Sequence, residues 1–305
     1  MLATETALVF FAASVILALA RGEIGDRPRF HGHWERIPRG KGKSRSVPGL
    51  VLLLLFAAQA AAQPGSVFVE DLTSPEVSAV IASGKTAAIY YAGSTEQNGP
   101  HMATGKHNFV AHHVAQRIAE TLGDALVYPI MPFAPTGDAI RKTDHMRFPG
   151  SVSVSEATYS AVAREVALSA IAAGFRRVFL MGDHGGGQAA LGRVAAGLDR
   201  EWRGKGVRVH HVPDLYFRTE EQVHEHLALR GLSAGAHAGM PDTSELMFVD
   251  RDNRWVRRDR IAPGDGSNGV DGDPRQASVA SGKLFIQFKV DNAVRQIRGL
   301  TQSGR

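Results

Sequence analysis

No cysteine occurs among the 305 residues, which removes disulfides, thiolate metal sites, iron–sulfur clusters and a cysteine nucleophile from consideration. Any metal has to be met by His, Asp, Glu or water. Aromatic residues are scarce, at 7%, and no basic stripe interleaved with aromatics follows the N-terminal region, so the footprint of a nucleic-acid surface is missing. The apolar run Ala7 to Ala20 has 14 residues, short of the roughly 20 that span a bilayer. Excess charge is also absent from most of the chain. Residues 1–46 hold eight Lys and Arg against four Asp and Glu, so +4 of the formal +5 lies there and +1 is left for the rest. The high pI belongs to this leader, and a nucleic-acid partner is not expected.

What is present is a globular composition, 44% apolar, sufficient for one large core or two small ones. Val47 to Ala62 follows Lys41, Lys43 and Arg45, contains LVLLLLFAA, and ends in Ala60-Ala61-Ala62 before Gln63-Pro64. A positive flank, a short apolar core and small residues at the cleavage positions read as a secretory signal cut after Ala62; the alternative is an uncleaved membrane anchor. The expected location is therefore periplasmic or extracellular, with membrane contact only through the leader during export. Because such a signal belongs at an N-terminus, residues 1–46 read either as a genuine basic leader or as an extension upstream of the true translation start. Residues 63–305 form the expected domain.

Within that body, strand and helix patterns alternate. Ser74–Ser83, Phe109–Leu122, Glu156–Ala173, Ala189–Trp202, Glu220–Arg230, Thr243–Asp250 and Lys283–Ile297 carry helical spacing or caps. Thr86–Ala92, Ala125–Met131, Arg176–Met181 and Val207–Val212 are short apolar strands. Residues 264–273, rich in Gly and Asp, read as a surface loop. The alternation predicts an α/β fold with a parallel sheet covered on both faces, whose ligands sit at the carboxyl ends of the strands.

Polar residues concentrate just after strands or at helix mouths: Glu96, Asn98, His101 and His107; Asp183 and His184 with Gly185, Gly186, Gly187 and Gln188; and His237 with Asp242, Thr243, Ser244 and Glu245. Carboxylate and imidazole converging at one sheet edge suit a zinc, manganese or iron ion with a position left for water. The glycines let a substrate approach the backbone and offer N–H groups to an oxyanion. Plainer readings compete. GDHGGGQ alone could be a phosphate-holding turn, and Asp242 and Glu245 could simply cap a helix. His112, His113, His210 and His211 suit packing or hydrogen-bonding roles better than ligation. GPHMATGKH is no nucleotide loop, since five residues separate Gly99 from Gly105 and His107 replaces the required Ser or Thr.

GSTEQNGPH, FPGSVSVSEAT, LMGDHGGGQ, HAGMPDTSELM and GVDGDP, in this order, resemble the creatininase family of metal-dependent amidohydrolases over roughly residues 67 to 300. The resemblance implies a three-layer α/β/α sandwich with a mainly parallel sheet, assembly into homo-oligomers, one or two divalent metals, and hydrolysis of C–N bonds in small amides, lactams or formamides. By position Glu96 matches the family's metal-binding Glu and His184 its metal-binding His. Asn98 stands where the first motif has His, His107 where it has a bridging Asp, Gly186 where creatininase has a Glu for a second metal, and Asp242 where the fourth motif has Glu. A neutral imidazole offers one lone pair and joins one cation where a carboxylate can join two. One ion is expected rather than two, zinc first with manganese or iron as alternatives, and creatinine itself is not the expected substrate.

The expected arrangement is a single cation on Glu96, His107 and His184, with Asp242 as fourth ligand or water-orienting base. His237 is the expected proton shuttle between the attacking water and the leaving nitrogen. Asn98, His101 and Asp183 are expected to orient ligands or substrate, with Gly185 and Gly186 lining the oxyanion position. The alternative function is a non-catalytic binding protein on the same fold, its metal centre decayed at Asn98 and His107.

Overall fold

Strands covered on both faces carry apolar residues at consecutive positions rather than alternate ones, and β1 (Ala87–Ala92) is buried along its whole length. With β2 (Ala125–Val127), β3 (Arg177–Gly182) and β4 (Arg208–His211) it forms a parallel sheet in the order β2-β1-β3-β4. A computed structural model describes residues 65–302; the leader and signal segments read from the sequence lie outside the described residues.

Alternation along the strands divides the core in two. Ile89, Tyr91, Phe179 and Met181 meet α2 (Lys106–Leu122) and α7 (Val279–Gln302) on one face. Ala88, Tyr90, Val178 and Leu180 meet α3 (Glu156–Ala173) and α4 (Gln188–Trp202) on the other, where Val80 of α1 (Ser74–Ala82) also packs. The result is the expected three-layer α/β/α sandwich. α5 (Phe217–Ala228) and α6 (Met240–Val249) pack on α7 outside the sheet layer. Among the described residues no helix is long and apolar enough to cross a membrane.

Several boundaries differ from the periodicity for local reasons. The second strand stops at Val127 rather than Met131, because Pro129 has no N–H for the ladder; pairing resumes only in a lone bridge of Met131 with Ala92. α2 begins at Lys106, ahead of its apolar stripe, and so takes His107 into its first turn. Residues 264–273 hold a minimal antiparallel pair, Gly264–Asp265 with Asp271–Gly272, its turn made by Gly266 and Gly269 at positive φ. Central to all of this is the register of β1 with β3, which runs to Ala92 opposite Gly182. Both strands therefore release their chains at the same level of one edge.

α6 and α7 approach so closely that a Cβ on Gly282 would collide with the Ser244 carbonyl and crowd Phe248. Gly282→Ala is expected to destabilise the domain by about 1–3 kcal/mol. Thermal denaturation should show the midpoint lowered by roughly 2–10 °C; an unchanged midpoint would contradict this close crossing.

Candidate functional site

Three segments meet at the cavity, two of them leaving adjacent strands at one sheet edge. After β1, residues 93–105 turn back into α2; Gly93 lies so close to Asn108 that a Cβ there would clash, and Gly99 turns the chain at φ 63°. After β3, Asp183 and His184 precede α4, whose entry at Gly187 has φ 94°. The third segment, residues 234–242, leads into α6. A fourth contribution comes from an excursion between β2 and α3. Its neck is closed where Thr136 N–H donates to Ser153 Oγ (3.1 Å) and Thr136 Oγ1 donates to the Val152 carbonyl (3.1 Å). Val152 N–H donates to the Thr95 carbonyl and Gln97 N–H to Ser151 Oγ, both at 2.9 Å, which lays the neck against the first segment. His145 is delivered from this excursion, its own N–H on the Thr136 carbonyl at 3.2 Å.

Glu96 is completely buried at the centre. Its Oε1 is 3.0 Å from His107 Nε2, and its Oε2 is 2.9 Å from His184 Nε2 and accepts from Ser94 Oγ at 2.8 Å. His237 Nδ1 and His145 Nε2 stand 3.9 and 4.0 Å from Oε1. Burial opposes ionisation of Glu96, yet the imidazoles of His107 and His184 hold its carboxyl well below the ordinary carboxylate range. His107 Nδ1 is 2.7 Å from Asp183 Oδ2. Burial and Lys106 push the His107 pKa down, but Glu96 and Asp183 outweigh them and it lies above the usual imidazole value.

Two buried lysines complete the charge pattern. Lys106 Nζ is 2.8 Å from Asp242 Oδ1, while Asp242 Oδ2 accepts the Ala238 N–H at 2.7 Å. Lys289 Nζ is 2.8 Å from both Asp183 Oδ1 and Glu245 Oε2, and Tyr91 donates to Asp183 Oδ1 at 3.1 Å. Despite burial, Lys289 and His107 keep Asp183 far below its ordinary value, whereas burial leaves Glu245 raised. Five carboxylates line the cavity, of which Glu220 is exposed; the other four against two ammonium groups leave two negative charges if all are ionised, and one if Glu245 keeps its proton. A buried charge surplus of this sign is what a divalent cation or protonated imidazoles offset.

The residues singled out in the sequence fall into place unequally. Glu96, His107, Asp183, His184, Gly185, His237 and Asp242 all line one cavity of about 250 Å³. Glu96, His184 and His145 each offer a ligand atom within 4.8 Å of the others, a donor set of carboxylate and imidazole that fits zinc or a similar ion. His184 Nδ1 is 3.0 Å from the Gly186 N–H and 3.4 Å from its carbonyl, so either neutral tautomer finds a backbone partner and Nε2 can be freed for a cation. His107 is outside that trio, with each ring nitrogen against a carboxylate. Asp242 is not placed as a fourth ligand: both its oxygens are engaged, one by Lys106 and one by the backbone, which is closer to the helix-capping reading.

Asn98 shapes its loop, its Nδ2 donating to the carbonyls of Glu96 (2.9 Å) and Ala103 (3.4 Å). His101 pairs through Nε2 with Thr243 Oγ1 at 2.9 Å. Gly186 N–H is engaged by His184 Nδ1 when that nitrogen is unprotonated, and Gly185 lies under the Tyr216 hydroxyl. His237 Nε2 donates to the Gln97 carbonyl at 2.8 Å, which leaves the Nδ1 lone pair facing Glu96. Burial first, then Lys106, lower its pKa to about 4, so it is a neutral acceptor at physiological pH. His112 stacks on Phe68 and His113 meets Phe248 edge-on; His210 stacks on Phe179, and His211 Nε2 bonds Gln188 Oε1 at 3.1 Å.

Sequence reasoning missed His145, Lys106 and Lys289. His145 sits in an aperiodic loop, its one signal being a place three residues before the Phe148-Pro149-Gly150 turn. Lys289 was more legible, since it interrupts the apolar stripe Ile286, Val290, Ala293 and Ile297 of α7.

Comparison with known proteins adds an independent line. The family described as creatininase (creatinine amidohydrolase) matches residues 70–297. A Mycolicibacterium smegmatis protein named mycofactocin precursor peptide peptidase is 29% identical over 230 residues, 68% of this chain and 82% of its own. A creatinine amidohydrolase of Pseudomonas putida is 31% identical over 119 residues, 39% of this chain and 45% of its own. A solved mutant creatininase of Zn–Zn type superposes with a TM-score of 0.64 at 25% identity, over 77% of this chain and 98% of that one.

Lys289→Met leaves Asp183 and Glu245 without their ammonium and is expected to lower unfolding free energy by roughly 3–5 kcal/mol, measurable by denaturant titration. Acid should act on the same network. Asp183 and Asp242 have depressed folded-state pKa values, so their contribution is full above the unfolded value of about 3.9 and disappears as pH falls below it. Glu245, being raised, works in the opposite sense at higher pH. Stability measured from pH 7 down to pH 2 should therefore fall most steeply below pH ~4, and Asp183→Asn should flatten that fall.

Proposed function

The chain belongs to the creatininase family, and from that premise we propose that it is a metal-dependent amidohydrolase that cleaves a C–N bond in a small amide, lactam or formamide. The observation that carries this is the buried carboxylate of Glu96 ringed by imidazoles at the common edge of β1 and β3, in a cavity whose fixed charges leave a negative surplus. Glu96, His145 and His184 would hold one divalent cation, zinc first. His107 is the alternative third ligand, because Asp183 holds its Nδ1 in the manner that orients metal-binding imidazoles. A bound cation supplies a Lewis acid that polarises the substrate carbonyl and activates water near neutral pH.

The remaining steps fall to the protein. His237, with its proton fixed on Nε2 by the Gln97 carbonyl, accepts a proton at Nδ1 and returns it to the departing nitrogen. Burial of the surrounding groups keeps bulk water from competing with the ordered donors. The similarity to relatives named peptide peptidases favours a second reading with the same chemistry, in which the scissile bond lies in a peptide. We also propose that residues 47–62 direct export, on their composition, and that the domain works as a homo-oligomer, on the family resemblance.

Mass spectrometry of metal content, paired with turnover on a panel of amides, formamides and short peptides, tests the proposal. The purified protein should carry about one divalent ion per chain, and Glu96→Gln and His184→Ala should lose it together with turnover. His145→Gln and His107→Gln decide the third ligand, the true one lowering affinity most. Retention of as much metal by Glu96→Gln as by the unaltered protein would remove the assignment. Metal binding without turnover on any substrate would instead favour the binding-protein alternative.

A further inference from the structure

Gly186, one of the two glycines expected to line the oxyanion position, has its N–H 3.0 Å from His184 Nδ1, so it is open to a substrate oxygen only when Nδ1 carries the ring proton, and a donor independent of that tautomer is worth seeking. Lys106 is the candidate the cavity presents. It is 2% exposed, begins α2 immediately before His107, and lines the same cavity as Glu96, His184 and His237. An ammonium has three N–H donors, and one of them meets Asp242 Oδ1 at 2.8 Å. Asp242 is itself fixed by the Ala238 N–H, and Ala238 holds the left-handed backbone with φ 53°, so the pair is braced by the turn into α6. The field of Lys106 reaches His101, His107, His145 and His237 and opposes protonation of each, although Glu96 and Asp183 outweigh it at His107. This is a buried, oriented cation with donor capacity to spare, beside the residues that would hold a metal.

We propose that Lys106, pinned by Asp242, is the fixed cation that receives the carbonyl oxygen of the scissile amide, a role that rests on the hydrolase reading above. As water adds to the carbonyl carbon, the π pair moves to that oxygen and the ammonium N–H groups bond it. His237 Nδ1 takes the water's proton; when the C=O bond re-forms, the C–N bond breaks and the proton leaves on nitrogen, giving a carboxylic acid and an amine. Asp242 is then a positioning residue, not a ligand. The Lys106 ammonium stands in the cavity of a chain that has Asn98, His107 and Gly186 at the positions where the family resemblance leads one to look for two-metal ligands. Preorganised positive donors of this kind act without reorganising during the reaction.

The product of any amide hydrolysis is a carboxylate, so acetate is a suitable probe. With zinc-loaded protein labelled with ¹⁵N-lysine, acetate should shift one buried Nζ signal, absent in Lys106→Met, along a saturable curve. By calorimetry Lys106→Met should bind acetate at least about ten-fold more weakly, the scale of a lost charged hydrogen bond, with zinc content unchanged. Asp242→Asn should weaken acetate less, and on an amide that the protein turns over it should lower kcat more than it changes KM. An unmoved Nζ signal, or equal acetate affinity in Lys106→Met, overturns the proposal. Loss of zinc in Lys106→Met also overturns it, by making the lysine a prop for the ligands. If acetate binding depends on Lys106 while no amide is turned over, anion capture by Lys106 stands and the hydrolase reading falls.

Discussion

An ionised carboxylate with no exposure to solvent is among the least favourable groups a protein can bury, and Glu96 is one. Its environment has to supply what water would have supplied. Ser94 donates a hydroxyl, and His107 and His184 approach one oxygen each. Those partners come from the chain leaving β1, from the first turn of α2 and from the chain leaving β3, so the carboxylate can be satisfied only when β1, β3 and α2 are all in place. The interaction thus ties the site's geometry to completion of the fold, and removing it would leave a charge stranded in the core.

Around that centre the protein uses side chains as cations. Lys289 lies between Asp183 and Glu245, and Lys106 lies against Asp242, so two ammonium groups organise three carboxylates, of which the sequence motifs had offered Asp242 to a metal. Asp183 in turn orients His107, and through it the far side of Glu96. The network is continuous from α7 to the cavity, and a helix distant in sequence sets the position of an imidazole in the first turn of α2. Such polar networks are favourable only when every member is satisfied, which is why the lysines matter to stability as well as to charge.

The layered fold was legible because its signals are periodic. β1 and β3 are apolar at nearly every position, and α3 runs over the expected Glu156–Ala173, capped by Ser155 and ended at Gly174. The ends of elements were less legible where a single residue decides, as at Pro129. In the site, Glu96 and His184 could be named because motif position carries them. The side chains that complete their surroundings could not, since what recruits His145 is a loop neck closed by Thr136 and Ser153, and what recruits Lys106 is an ion pair across 136 positions of sequence. Asp242 was visible as a functional residue but not its partner, so a carboxylate held by an ammonium was read as a carboxylate facing an ion.

The neck of the excursion bearing His145 has a consequence for how this enzyme family member can diverge. Imidazole placement is settled by the Thr136 and Gln97 bonds, while the tip beyond them is solvent-facing, with Ile140 92% exposed. Loop tips of this kind accept insertions because little is buried there. New sequence, and with it new contacts for larger molecules, can be added at residues 139–142 without disturbing the ring that faces Glu96, so breadth of recognition and upkeep of the chemistry are free to evolve separately.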